Sequence, residues 1–209
     1  MKKILILLML LQTTSFINAQ KTQFGFKVGA NFSNLDSSDG NASRSLITKI
    51  SFHAGVFLVI PLSNKFAIQP ELFYSSQGSS FNYTIYKNYS FTTSTNKFLL
   101  SYINIPVLLK YDLEKNTYLE FGPQLAILTN ADLEINAGNK VVTKDVSDLF
   151  YKTDFGLNFG FGINLNEILA INGRYSLGLT NIVKPENAND KSTLTNTVIS
   201  AGLVLKLEN

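Results

Sequence analysis

Lys27, Glu71, Glu120 and Arg174 are the residues whose types and spacing point most directly to chemistry. Each stands on the lean face of a segment that alternates with period two, a strand signature, among Gly, Ala, Asn, Ser and Gln. Two acids and two bases at one level either neutralise one another through paired, hydrogen-bonded contacts or line a path for ions. His53 is the only histidine, and Ser51 lies two residues before it on the same face. A general base beside a hydroxyl is the start of a nucleophilic site. No third residue can be assigned to orient His53, and such His–Ser spacing recurs by chance, so a structural role is expected and no catalytic residue is assigned. Asp36, Asp39 and Gly40 match a fragment of a calcium loop but lack its later acidic ligand. They read as a solvated loop without metal. Gly25, Gly29, Gly156, Gly160 and Gly162 are spread along strands and do not join strand to helix, so no phosphate cradle and no cofactor is implied.

The elements that must position these residues are eight alternating segments. The clearest is 155–163, where Phe155, Leu157, Phe159, Phe161 and Ile163 oppose Gly156, Asn158, Gly160 and Gly162. An uninterrupted bulky apolar face against a face of the smallest residues is the pattern of a membrane-spanning barrel strand. Comparable alternation covers 22–32, 51–60, 98–111, 117–128, 168–180 and 194–207. A further strand starts at Phe66 and contains Pro70, which calls for a bulge or locally weakened pairing. Between these segments long polar stretches at 34–50, 77–97, 129–150 and 181–193 alternate with short turns near 61–65, 112–116 and 164–167. The second long stretch also holds Phe81, Tyr83 and Tyr86, as if its strands ran on beyond the membrane before turning. Long connections on one side and short ones on the other describe an all-β, eight-stranded antiparallel up-and-down transmembrane β-barrel with both termini on the periplasmic side.

Composition agrees. Charged residues make up 16%, below the roughly 25% usual for soluble domains, while Phe and Tyr number 25. Lys2 and Lys3, followed by the short apolar run 4–11 and a polar stretch to Ala19, read as a secretory signal peptide over 1–19. The remainder, 20–209, suits one barrel domain. Losing Lys2 and Lys3 lowers the formal charge from +3 to +1, which gives no reason to expect nucleic acid. With no cysteine there is no disulfide, thiolate metal site or cysteine nucleophile. After Leu11 no apolar run is long enough for a spanning helix, and in lipid only a closed barrel then satisfies every backbone group.

Several segments resemble the outer-membrane protein β-barrel domain family, the porin-like or PorT-like group. They are FGFKVGANF at 24–32, INIPVLLKY at 103–111, Gly122-Pro123, DFGLNFGFG at 154–162 and RYSLGLTNI at 174–182. The resemblance implies this fold and the outer membrane of a Gram-negative-type bacterium, without one agreed activity. A relative has been tied to protein secretion.

Counted from the short-turn side, Lys27, Glu71, Glu120 and Arg174 fall at similar depth in alternate strands. An eight-stranded barrel is just wide enough for its own side chains to fill. The expectation is therefore a plugged lumen held by this network, in a non-enzymatic protein of structural, surface-interaction or secretion-accessory role. Its partners would be outer-membrane lipids and a protein met through the four long stretches. A small diffusion channel of the same fold is the alternative. A soluble lipocalin-like carrier would need a charged exterior that the Gly, Asn, Ser and Gln faces do not supply. A lipid-modifying enzyme would rest on His53 alone.

Overall fold

The computed structural model describes residues 22–38, 43–45, 47–87, 90–114, 116–137, 140–185, 187 and 192–207. The signal-peptide assignment at 1–19 lies outside them, as do Asp39 and Gly40. Among the described residues ten strands are present: β1 (Gln23–Ser38), β2 (Ser43–Ser45), β3 (Ile47–Pro61), β4 (Phe66–Lys87), β5 (Ser90–Glu114), β6 (Thr117–Ala137), β7 (Lys140–Asp145), β8 (Thr153–Asn164), β9 (Leu169–Gly178) and β10 (Thr193–Leu207). Eight of them close into an antiparallel ring, β1-β3-β4-β5-β6-β8-β9-β10, sealed by β10 pairing with β1 from Phe24↔Leu207 to Ser38↔Thr193. The short β2 and β7 pair with β1 and β6 respectively, beyond the ends of β3 and β8.

The alternation reads out as two surfaces. Phe26, Val28, Phe52, Leu72, Val107, Phe121, Phe159 and Leu203 are exposed on the outside. Their neighbours Lys27, His53, Glu71, Glu120, Asn158 and Val204 are buried inside. The inner face is not uniformly lean, however. Phe57, Phe73, Tyr102, Leu108 and Tyr118 also point inward and are buried. Three of them, Phe57, Phe73 and Tyr118, fit because Gly25, Gly55 and Gly162 stand against them. A Cβ built on Gly162 would run into the Tyr118 ring, and one on Gly160 would meet Glu120. Gly162→Leu is therefore expected to lower the yield of folded barrel sharply. Tyr118→Ala in the same chain should restore it, scored by the folded band on unheated gels. Failure of the second change to rescue the first would mean that the ring is not the obstacle.

The long stretches 34–50, 77–97 and 129–150 are largely strand. In 77–97 the strands run on as expected, β4 and β5 pairing without break from Gly78↔Leu99 to Lys87↔Ser90, and in place of a loop at 129–150 β6 runs to Ala137 before turning into β7. The stretch 34–50 likewise carries the end of β1, β2 and the start of β3. Only about 10 residues are needed to cross a bilayer in a tilted strand, so β4 and β5, at 22 and 25 residues, extend well beyond it. These polar segments satisfy their backbones with one another instead of with water. On the same side, β9 stops early at Gly178, short of the expected Thr180.

Pro70 is accommodated by weakened pairing without a bulge. The β3–β4 ladder lapses opposite it, between Phe57↔Glu71 and Ile60↔Ile68, and resumes in the same register. Proline has no N–H to donate there. The short turns carry their own signals. Ser63 Oγ accepts from the amide of Phe66 at 3.2 Å, and Asn166 Oδ1 accepts from the amides of Ile168 and Leu169 at 2.9 and 2.7 Å. Such side-chain turns favour tight reversals.

Candidate functional site: the barrel lumen

The lumen is layered. Nearest the short turns and the termini lies an apolar floor of Phe57, Val59, Ala67, Tyr118, Ala170 and Val204. Above it the structure brings together all four charges singled out by the sequence. Arg174 spans both acids: Nη1 donates to Glu71 Oε2 at 2.7 Å, while Nη2 donates to Glu71 Oε1 at 2.8 Å and to Glu120 Oε2 at 2.6 Å. Lys27 Nζ donates to Glu71 Oε1 at 3.0 Å. All four residues are buried. They come from β1, β4, β6 and β9, every second wall position around the ring, so the contacts brace the whole circumference. The planar fork of Arg174 suits a two-point grip on a carboxylate. The charges sum to zero, and each acid has a cation, which burial of a carboxylate requires.

Gln69 completes the layer and was not singled out from the sequence. Its Nε2 donates to Glu71 Oε1 at 2.7 Å and to Glu120 Oε1 at 2.9 Å, joining the two acids. Its position on the lean face, two residues before Glu71, was the available signal. A neutral amide in that place carries no mark of what it will meet.

His53 sits one level higher. Its Nδ1 lies 2.8 Å from Asn31 Oδ1, and Asn31 Nδ2 donates to Ser75 Oγ at 2.9 Å and to the carbonyls of Phe52 and Ser76 at 3.1 and 3.0 Å. Ser51 Oγ donates to the Ser76 carbonyl at 2.6 Å. His53 and Ser51 are thus each bonded elsewhere. Asp36 Oδ2 accepts from Thr197 Oγ1 at 2.7 Å, a cross-strand contact on the exposed side. A cavity with about 20 Å³ for the centre of a water-sized body opens between Lys27, His53, Asn104, Asn172, Arg174 and Ser176. It has room for ordered water and no more.

An apolar layer crosses the loop-side mouth. Leu35, Leu100, Tyr102, Ala126, Leu128 and Ala131 of the wall pack with Val146, Phe150 and Ile182, which come from the connections. Those connections are pinned by backbone bonds: Val146 N to Ala131 O at 2.9 Å, Tyr151 N to Ile182 O at 2.8 Å and Lys184 N to Leu149 O at 2.8 Å. The stretches at 129–150 and 181–193, read from the sequence as long polar connections, therefore send apolar side chains into the mouth. Within polar sequence, single apolar residues such as Ile182 give no periodic signal.

The model of a family described as outer membrane protein beta-barrel domain matches residues 18–184. No curated protein matches the chain. Among solved structures, neisserial surface protein A is 14% identical, with a TM-score of 0.48 over 90% of this chain and 100% of that one. The attachment invasion locus protein Ail of Yersinia pestis, solved with the heparin analogue sucrose octasulfate, is 9% identical, with a TM-score of 0.46 over 89% of this chain and 100% of that one. OprG of Pseudomonas aeruginosa is 15% identical, with a TM-score of 0.40 over 90% of this chain and 95% of that one.

Proposed function

The chain belongs to the outer membrane protein β-barrel domain family, and from that premise we propose that it is a non-conducting, non-enzymatic barrel that works through the sheet it holds beyond the membrane, in surface interaction or as a secretion accessory. The observation that carries this reading is the Arg174 fork across Glu71 and Glu120, joined by Lys27, which occupies the middle of the lumen from four alternate walls. The apolar floor around Tyr118 and the apolar mouth around Phe150 support it from either end. An ion crossing this interior would have to pass two apolar layers and separate buried ion pairs, each a large cost in low dielectric. The long β4–β5 hairpin supports the second half of the proposal, because ordered extramembrane strand is a natural platform for a protein partner. In this reading both termini face the periplasm and the hairpin faces outward. Against catalysis stands the pairing of His53 with Asn31 and of Ser51 with a backbone carbonyl.

Planar-bilayer recording on refolded protein provides the test. The expected trace is flat at voltages where porins conduct. Stable openings of porin size would overturn the proposal and favour a diffusion channel of the same fold.

A further inference from the structure

Between the His53 level and the apolar mouth lies a second polar cavity that the charge network does not reach. It offers about 10 Å³ for the centre of a water-sized body, and Gln77, Gln124, Asp154, Ser176 and Asn196 supply its polar lining. Asp154 and Asn196 are 5% and 4% exposed. Asp154 Oδ1 accepts from Thr180 Oγ1 at 2.8 Å, and its Oδ2 accepts a long bond from Asn196 Nδ2 at 3.4 Å. Asn196 Nδ2 also donates to Tyr102 Oη at 3.3 Å. No Lys, Arg or His among the described residues forms an ion pair with Asp154. On the other side, Asn196 Oδ1 is buried without a hydrogen-bond partner. A carboxylate lacking a counter-charge and an orphaned carbonyl oxygen thus belong to one small cavity.

Both shortfalls have one remedy. A buried carboxylate must be neutralised by a proton or a cation, and a bare acceptor such as Asn196 Oδ1 calls for a positive ligand or a donor. The donor set is oxygen: the Asp154 carboxylate, the carboxamides of Asn196, Gln77 and Gln124, and the Ser176 hydroxyl. Ser176 Oγ already gives its proton to Asn158 Oδ1 at 2.6 Å, which leaves the oxygen as an acceptor. Oxygen ligands select hard ions over transition metals. Among the described residues no three His, Cys, Asp or Glu side chains gather to hold a metal, and a single carboxylate balances one positive charge. We propose that this cavity binds a monovalent alkali cation of sodium size, held chiefly by Asp154 and Asn196 Oδ1, which ties β8 to β10 where the short β9 no longer separates them.

The test is thermal unfolding of the refolded full-length protein in sodium chloride against N-methylglucamine chloride at equal ionic strength, together with the sodium-23 relaxation rate. The expected result is a midpoint higher in sodium by roughly 5–10 °C at a hundredfold excess over Kd, with excess sodium-23 relaxation. Asp154→Asn should abolish both differences. If that variant does not fold, Asn196→Ser is expected to weaken both, and the relaxation of the unmodified protein decides independently. Equal midpoints in the two salts, no excess relaxation, or full retention of both in Asp154→Asn overturns the proposal. A midpoint that follows pH but ignores sodium overturns it in favour of a protonated Asp154 with water in the cavity.

Discussion

Arg174→Leu is expected to abolish recovery of the folded barrel in detergent, or to lower its urea midpoint severely. Arg174 supplies three of the four bonds that join cations to Glu71 and Glu120. Removing it leaves Glu120 with the Gln69 amide alone and Glu71 with Lys27 and Gln69. Breaking a buried pair by deleting one partner costs about 3–5 kcal/mol, because the other charge stays desolvated. Against a typical total stability of about 5–15 kcal/mol, that is decisive. Lys27→Met should be much milder, since Glu71 keeps the bidentate Arg174 grip. The double variant Arg174→Leu, Glu120→Gln should recover much of the loss, because Lys27 and Glu71 remain as a neutral pair. The folded fraction on unheated gels and the urea midpoint measure all three. Arg174→Leu folding like the unmodified protein would show that the network is not what holds the lumen.

The second large effect concerns the outer face. Phe159→Lys should block insertion into vesicles, whereas Asn158→Asp, one residue earlier, should still insert. Phe159 lies at the middle of β8 with its ring 4.8 Å from that of Phe121, and it is 51% exposed on the outside of the barrel. A lysine at the bilayer midplane costs about 2–4 kcal/mol, and losing the ring pair adds about 1 kcal/mol. Asn158 is fully buried inside, accepting from Ser176 Oγ and donating to Gln124 Oε1. An aspartate keeps the first bond, and Gln124 can turn its amide to donate in the second. Protection from added protease after reconstitution reads the difference. Equal failure of both variants would mean that a charge is as costly inside as outside.

The barrel itself was legible because its signal is local. Period-two alternation in Phe155–Ile163 and its counterparts separates the two faces within a single strand, and lipid outside makes that separation extreme. The four charges were legible for the same reason, since a charge amid a lipid-exposed sequence can only face inward. The extended hairpin of β4 and β5 was legible in part: Phe81, Tyr83 and Tyr86 marked strands running past the membrane, but neither their length nor their register was legible. Strands with water on both faces carry Ser, Thr and Asn on both, and their pairing leaves no periodic trace. Nor was the way Tyr118 is housed. It depends on Gly162, which lies 44 positions away in the chain and beside it only after β6 pairs with β8.

What the sequence determined alone is therefore the facing of each strand, the count around the ring and the gathering of the short turns at one end of the barrel, all set by neighbours within a dozen residues. Which residues meet across the lumen was decided only by the tertiary structure. Arg174 and Glu71 are 103 positions apart. Their contact depends on ring closure and on the stagger of every intervening ladder, and a one-residue slip in any of them would turn a whole strand inside out. The same holds for Asp154 and Asn196, unremarkable polar residues in their own strands, which become a candidate ion site only where β8 and β10 converge above the end of β9.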